Sequence, residues 1–216
     1  IGTATGLSRF DTETETFKYY PVFPGIVDSN SPQPGDVSVL SISEDPAGFL
    51  WLGTQTTISH FDPATGTVIH YLANADRSEA PHGDQFDNSM AGDDGTVWFT
   101  SQSAGLNRFD PRTQVFTHYI HDPENPDSLP QGALDAIWQD QYGAIWVGTM
   151  SGLGQLDPEN GVFKRYTGNG NFPKGRVNEI MSDGSGNLWI GTHSEGLWKL
   201  NPVTGDFTAY DVNDGL

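Results

Sequence analysis

The sequence predicts an all-β fold, a β-propeller of four-stranded antiparallel blades, and three observations predict it. A Trp-centred segment recurs four times, as AGFLWLGT (47–54), DGTVWFTS (94–101), YGAIWVGT (142–149) and SGNLWIGT (185–192). A second recurring segment ends in tyrosine, at Tyr20, Tyr71, Tyr119, Tyr166 and Tyr210. Each period holds four short runs of strand-forming residues and no stretch of helical periodicity. Four strands in a repeat of about 40 to 50 residues is typical of a propeller blade.

Two kinds of turn separate the predicted strands. Asp-Pro-x-Thr-Gly, or a close variant, joins the third strand to the fourth, since Asp bonds backbone amides, Pro presets φ and Gly adopts the left-handed conformation. Asp-x-x-Gly, as at Asp45–Gly48 and Asp183–Gly186, precedes each Trp-bearing strand except one, where Gly92 replaces Asp. The segment from Asp183 also resembles the start of a calcium loop. Its sixth position is Leu188 rather than the required Gly, so a hairpin turn is favoured and no metal site is predicted.

The repeat sets the expected blade boundaries within a single domain. We expect one truncated blade over 1–20 and about four full blades over 36–71, 84–119, 133–166 and 176–210. Ile1 aligns with the residue that follows each Trp, so the first blade lacks its inner strand. The chain stops at Leu216, where the first strand of another blade would begin. We therefore expect a segment of a larger propeller, with the remaining blades of the parent chain as its neighbours.

The recurring tryptophans are predicted to form the structural core between blades. Burying one Trp removes about 150 to 250 Å² from water, which is worth at most about 4 to 6 kcal/mol. The positions are Trp51, Trp98, Trp146 and Trp189. An aromatic box for a carbohydrate is the alternative interpretation, but regular recurrence beside a turn is typical of core positions.

Composition excludes several classes of function. The chain has 10 Lys and Arg against 28 Asp and Glu, a formal charge of -18, so it repels nucleic acid. It has no cysteine, which excludes disulfides and thiolate-bound metals. No stretch approaches the roughly 18 apolar residues of a membrane span, so no membrane insertion is expected within this segment.

A ligand is expected on the face where the connectors between blades emerge together with the loops between second and third strands. The candidate ligand-binding residues at the inner-strand entrances are Asp36, Asp84, Asp135 and Arg176, and those in the short loops are Gln55, Gln102, His193 and Glu195. Such groups hydrogen-bond sugar hydroxyls. The alternative is that they are solvated residues that satisfy local turns.

The segments DGSGNLWIGTHSEGLWKLNPVTGDFTAY and HDPENPDSLPQGALDAIWQDQYGAIWVGT resemble the two-component regulator propeller repeat over the whole chain. This resemblance implies a periplasmic or extracellular sensor domain of a bacterial hybrid two-component system. It implies a glycan fragment or other small molecule as ligand, with no catalytic residue and no cofactor in the propeller. A scaffold that holds protein partners, or a subunit of a larger assembly, is the alternative function, since the repeat also occurs in proteins without a kinase.

The stretch DGTVWFTSQSAGLNRFDP is similar to repeats of streptogramin lyases, propellers that use a metal ion with His and Glu side chains held in loops. That chemistry requires at least two convergent His or Glu side chains. His60, His70 and His118 fall in or beside predicted outer strands, and His82 and His121 fall in connectors. Only His193, with Glu195 nearby, lies in a loop between second and third strands, so a lyase ranks third among the predicted functions.

Overall fold

A computed structural model describes residues 1–22, 38–166, 172 and 175–215. The chain divides into two compact units, Ile1–His118 and Tyr119–Leu216. The described strands form five antiparallel sheets, and the described helical structure is one 3₁₀ turn at Val212–Asp214. The predicted all-β propeller fold of antiparallel blades is confirmed.

The first unit contains three sheets whose strands follow chain order. The first has three strands and the other two have four. Their bounds are β1 (Gly2–Thr3), β2 (Gly6–Asp11), β3 (Thr16–Tyr20), β4 (Ser41–Glu44), β5 (Leu50–Gly53), β6 (Thr57–Phe61), β7 (Val68–Leu72), β8 (Ser89–Ala91), β9 (Val97–Ser101), β10 (Gly105–Asp110) and β11 (Val115–Tyr119). In the three-stranded sheet, β1 occupies the place of a Trp-bearing second strand, as the alignment of Ile1 predicts.

The second unit contains two four-stranded sheets, again in chain order. Their bounds are β12 (Leu134–Gln139), β13 (Ile145–Thr149), β14 (Gly152–Asp157), β15 (Val162–Tyr166), β16 (Val177–Ser182), β17 (Leu188–Thr192), β18 (Leu197–Leu200) and β19 (Phe207–Tyr210). No described helix is long and apolar enough to cross a membrane.

Each full sheet presents two sets of loops at opposite ends of its strands. We call the end with the connectors and the loops between second and third strands the connector face. We call the end with the Asp-x-x-Gly turns and the hairpins between third and fourth strands the turn face. This division follows from antiparallel pairing, which returns every second connection to the same end.

The Asp-x-x-Gly turn is tied to the tryptophan six residues later. The carboxylate of Asp140 accepts hydrogen bonds from the backbone amides of Tyr142 (2.9 Å) and Ala144 (3.1 Å), and from the Trp146 indole N–H (2.7 Å). Asp45 and Asp183 bind their own turns and tryptophans in the same way. The segment 183–187, which resembles the start of a calcium loop, is thus a turn in which the Asp183 carboxylate accepts hydrogen bonds from protein donors.

The sheet with Gly92 at this turn uses a different carboxylate. Asp94 accepts from the backbone amide of Thr96 (2.9 Å) and from the Arg108 guanidinium (3.3 Å). The same guanidinium lies 5.6 Å from the centre of the Trp98 ring. A carboxylate two positions later in this turn therefore accepts from a turn amide, and the Arg108 cation that it binds packs on the indole.

Sheets of the first unit pack through aromatic side chains. Trp51, 1% exposed, lies 5.2 Å from Phe109 of the next sheet, and Tyr71 lies 4.9 Å from the same ring. Tyr20 contacts Phe61 edge-on at 5.2 Å. The connector that leads to the next sheet also lies close to this sheet. A Cβ atom at Gly53 would collide with the carbonyl oxygen of Phe86 in that connector. The small residue after the Trp-x pair thus lets the next sheet approach.

In the second unit, Trp146 is fully buried in a cluster with Leu188, Ile190 and Leu200 of the following sheet. Trp189 differs from Trp51, Trp98 and Trp146, since it is only partly buried. It stacks on Tyr210 of its own sheet at 5.4 Å, and no further sheet follows it among the described residues. The extent of Trp burial therefore depends on a covering sheet.

Candidate functional site

In the first unit, a polar network forms around Asp84 on the connector face. Ser103 donates its hydroxyl to the Asp84 carboxylate (2.6 Å), and the Gln102 backbone amide donates to the Asp84 carbonyl (3.1 Å). The side-chain amide of Gln102 donates to the carboxylate of Asp87 (2.5 Å). Asp84 and Gln102 are both exposed. The structure therefore brings these two predicted residues together, with carboxylate oxygens that retain acceptor capacity.

Gln55 joins this network through the backbone. Its carbonyl accepts from the amide of Gln85, which follows Asp84, at 2.8 Å. Gln85 adopts a left-handed conformation with φ of 48°, and the next residue, Phe86, is fully buried. The anchored Phe86 ring thus fixes the connector that carries Asp84 against the loop that carries Gln55.

In the second unit, Asp135 and Arg176 form a bidentate ion pair on the connector face. The Arg176 Nε and Nη2 atoms donate to the two carboxylate oxygens at 2.7 and 2.6 Å. Asp135 lies at a register shift between Leu134 and Ala136, where a β-bulge re-aims the side chain. Hydrogen bonding to Asp135 raises the pKa of Arg176, so the guanidinium stays charged. The pair presents a planar polar group, since the Arg176 side chain is 45% exposed.

The loop that carries His193 and Glu195 is bonded to this ion pair through the backbone of Arg176. The His193 amide donates to the Arg176 carbonyl at 3.0 Å, which attaches the loop to the ion-paired residue. The Glu195 amide donates to the Thr192 hydroxyl (3.0 Å), and the Trp198 indole donates to the Glu195 carbonyl (3.0 Å). Both side chains are exposed. The backbone of this loop is therefore fixed while its His and Glu side chains face solvent.

One predicted residue cannot be placed, and some residues of the site were missed. Asp36 lies outside the described residues. The sequence analysis missed Asp87 and Ser103, which complete the network around Asp84. The predicted residue Asp135 lies five residues before Asp140, the first residue of its Asp-x-x-Gly turn. Asp87 lies five residues before Gly92, which occupies the same turn position in its own sheet. The same offset from the turn would have found Asp87.

The described histidines do not form a catalytic set. Ser59 and His70 share a hydrogen bond of 2.9 Å, but Ser59 is fully buried and out of reach of a substrate. Within the described residues, no group of three or more His, Asp or Glu side chains is placed to hold a metal ion. The connector-face residues offer hydrogen bonds and charge rather than a nucleophile paired with a base.

Folding lowers the pKa of three histidines in the first unit. Burial lowers the pKa of His60, His70 and His118, and for His118 the nearby His82 lowers the pKa further. The rings of His82 and His118 stack 3.5 Å apart at an interplanar angle of 6°. The buried Asn107 bonds the ring of His118 (2.9 Å) and the backbone amide of His82 (2.8 Å). This stack fastens the connector that leads to Asp84.

We expect acid to weaken the first unit through these histidines. A histidine whose pKa is lowered by folding contributes stability above its unfolded pKa of about 6.5, and loses it as pH falls below that value. The urea midpoint, followed by far-UV circular dichroism, should therefore be lower at pH 5.5 than at pH 7.5. His118→Asn should reduce this difference, whereas His193→Asn, an exposed control, should preserve it. A midpoint that does not change with pH would exclude the neutral-histidine explanation.

The comparisons with known proteins agree with this fold. The two component regulator propeller family matches residues 33–56 and 171–194, which confirms the resemblance seen in the repeats. A comparison with curated proteins gives no match.

Several solved structures are similar. The extracellular domain of BT3049 from B. thetaiotaomicron, described as belonging to a hybrid two component system, aligns with a TM-score of 0.70 and 26% identity, over 80% of this chain and 24% of that one. PorZ, a surface component of the type-IX secretion system of Porphyromonas gingivalis, aligns at 0.74 and 19% identity, over 98% of this chain and 32% of that one.

A catalytically inactive virginiamycin B lyase from Staphylococcus aureus, solved with Quinupristin, aligns at 0.71 and 16% identity, over 98% of this chain and 64% of that one. The resemblance to a lyase propeller is thus confirmed at the level of the fold. The chain spans 24% to 64% of the length of these three proteins.

Proposed function

We propose that this chain is a ligand-recognition segment of a bacterial extracytoplasmic sensor protein, which binds a small molecule or glycan fragment on its connector face. The observation that carries the proposal is the Asp135–Arg176 pair, with the exposed His193 and Glu195 in the loop that is bonded to Arg176. A carboxylate and a guanidinium already paired in one plane recognise hydroxyl groups without a large cost of ordering. The match to the extracellular domain of BT3049 supports the periplasmic or extracellular location.

The network of the first unit supports the same function. Asp84 and Asp87 each accept a side-chain hydrogen bond and keep further lone pairs for a ligand, and Gln102 bridges toward Asp87. Asp84 and Asp87 lie on a connector that is anchored by the buried Phe86, which limits their movement on binding. The carboxylate-rich network favours a ligand that donates hydrogen bonds, such as a polyol, over an anion.

The proposal is tested by calorimetric titration of the protein with a panel of neutral oligosaccharides. We expect one class to bind, and Arg176→Ala to weaken that binding at least tenfold by removing the guanidinium donors of the ion pair. Arg112→Ala is the matched control, because Arg112 also pairs with an aspartate (Asp110, 3.1 Å) but lies on the turn face. No binding across the panel, or equal losses in both variants, would reject the connector face as a glycan site.

A second candidate function, packing against further blades or protein partners, is favoured by the first sheet. The rings of Phe10 and Phe17 lie 4.9 Å apart and are tilted to each other, but the two residues are 43% and 64% exposed. The equivalent Phe61 and Phe109 are 1% exposed because the preceding sheet covers them. We propose that another blade of the same repeat, from the parent chain, covers Phe10 in the same manner. This arrangement is supported by the similar proteins BT3049 and PorZ, because this chain spans only a minor share of the length of each.

A further inference from the structure

The sheet β12–β15 carries a cleft on its turn face, away from the connector-face residues. Its volume is about 630 Å³, within the range of small-molecule sites. The turn after β12 and the hairpin between β14 and β15 form its walls. The lining residues include Tyr142, Gln155, Asp157, Glu159, Val162 and Lys164.

Tyr142 departs from the repeat at the edge of this cleft. It is the third residue of the Asp-x-x-Gly turn, where the other full blades have Ala47, Asp94 and Ser185. Its side chain is 62% exposed. The turn itself does not require an aromatic residue, because three other residue types occupy this position in the same chain. An exposed ring at the mouth of a cleft is available to pack against a ligand.

Gln155 departs from the repeat at a second lining position. It lies opposite Trp146 across the strand pair, where the other full blades have His60, Arg108 and Lys199 opposite their tryptophans. Each of these basic residues approaches a turn carboxylate, at 3.9 Å for His60 and Asp45, 3.3 Å for Arg108 and Asp94, and 3.8 Å for Lys199 and Asp183. The equivalent carboxylate, Asp140, is 3% exposed and has no basic partner within the described ranges.

The charges around the cleft favour a cation. Asp157 and Glu159 border it, with the Asp140 carboxylate beneath the turn, against the single ammonium of Lys164. That ammonium lies 4.8 Å from the centre of the Tyr166 ring. The net charge of -18 on the chain adds attraction for a positive ligand and repulsion for a negative one. The Tyr142 ring also attracts a cation over its face.

We propose that this cleft binds a small organic cation, an ammonium or guanidinium group on an apolar body. The ligand supplies the positive charge that Arg108 and Lys199 supply in two of the other blades. Its apolar body packs on Tyr142 and Val162, and its charge is balanced by Asp157 and Glu159. The site lies on the face opposite the proposed glycan site, so either proposal can fail while the other stands.

The first test compares three probes of nearly equal shape against the whole chain by NMR chemical-shift titration. Benzylammonium is expected to bind at least tenfold more tightly than benzyl alcohol, to shift Tyr142 and Gln155 resonances, and to weaken as salt is added. Benzoate is expected not to bind. Equal affinity for all three probes would show an unspecific apolar cleft, and tighter binding of benzoate would show an anion site at Lys164; either result overturns the proposal.

Two variants test the roles of the departing residues. Gln155→Arg restores the basic residue of the other blades, so it should abolish benzylammonium binding without lowering the melting temperature. Tyr142→Ala, which installs the residue found at Ala47, should weaken binding about tenfold. Ser185→Ala changes the same turn position in the other sheet of this unit and should leave the affinity unchanged. Undiminished binding in folded Gln155→Arg and Tyr142→Ala proteins would overturn the assignment.

Discussion

Trp146→Ala is expected to lower the free energy of unfolding by about 3 to 5 kcal/mol, the range for a large aromatic residue removed from a core. Trp146 has no exposed surface, and its ring lies among Leu153, Leu188 and Leu200 of two sheets. The substitution leaves a cavity between these sheets and removes the donor to Asp140. Urea denaturation followed by far-UV circular dichroism measures the loss.

Trp189→Ala is the matched control for this prediction. Trp189 occupies the same repeat position and bonds Asp183 in the same way (3.1 Å), but it is only partly buried. Folding removes less apolar surface of Trp189 than of Trp146 from water. We therefore expect a loss of at most about half that of Trp146→Ala. Equal losses at the two positions would show that burial between sheets does not determine the contribution of these tryptophans.

Asp140→Ala is expected to cost about 2 to 3 kcal/mol, because one buried carboxylate serves three donors and at least the indole N–H then stays unpaired. Asp140 is 3% exposed, and its bond to the indole measures 2.7 Å. A double-mutant cycle with Trp146→Phe, which removes the N–H but keeps an aromatic ring, isolates this bond. We expect a coupling energy of about 1 to 2 kcal/mol, since residues in one hydrogen-bond network are not additive.

Two comparisons bound the Asp140 prediction. Asp140→Asn keeps a carbonyl acceptor, so its loss should be smaller than that of Asp140→Ala. Asp183→Ala should also cost less, because Asp183 and its tryptophan are partly exposed. Strictly additive losses in the cycle would mean that the carboxylate supports the turn amides alone, independently of the tryptophan.

Much of the fold follows from local chemistry that a sequence displays. Turn residues at fixed offsets mark the strand ends, so the Asp-x-x-Gly turns and the recurring tryptophans predicted the order of β12 to β15 correctly. The bond between the turn carboxylate and the indole was not predicted, because it depends on how a strand lies over the preceding turn. The use of Asp94 as the acceptor in the turn that begins at Gly92 was not predicted for the same reason, since Arg108 reaches Asp94 from another strand.

The candidate site was predictable as a set of loops but not as a set of pairs. Asp135 and Arg176 are 41 residues apart in sequence, and a β-bulge directs the aspartate toward its partner. Gln102 meets Asp87 because Phe86 anchors the connector in the core. Such contacts depend on tertiary packing between repeats, which a motif within one repeat does not encode.

The most direct test of the repeated hydrogen bond between turn carboxylate and indole is deuterium exchange at the six indole N–H groups, followed by ¹⁵N–¹H NMR. We expect the indole of Trp146 to exchange slowest together with that of Trp51, since both are buried and bonded to Asp140 and Asp45, and the partly buried Trp189 to exchange faster. Rapid and uniform exchange at all six indoles would contradict sheets built around buried, carboxylate-bound tryptophans.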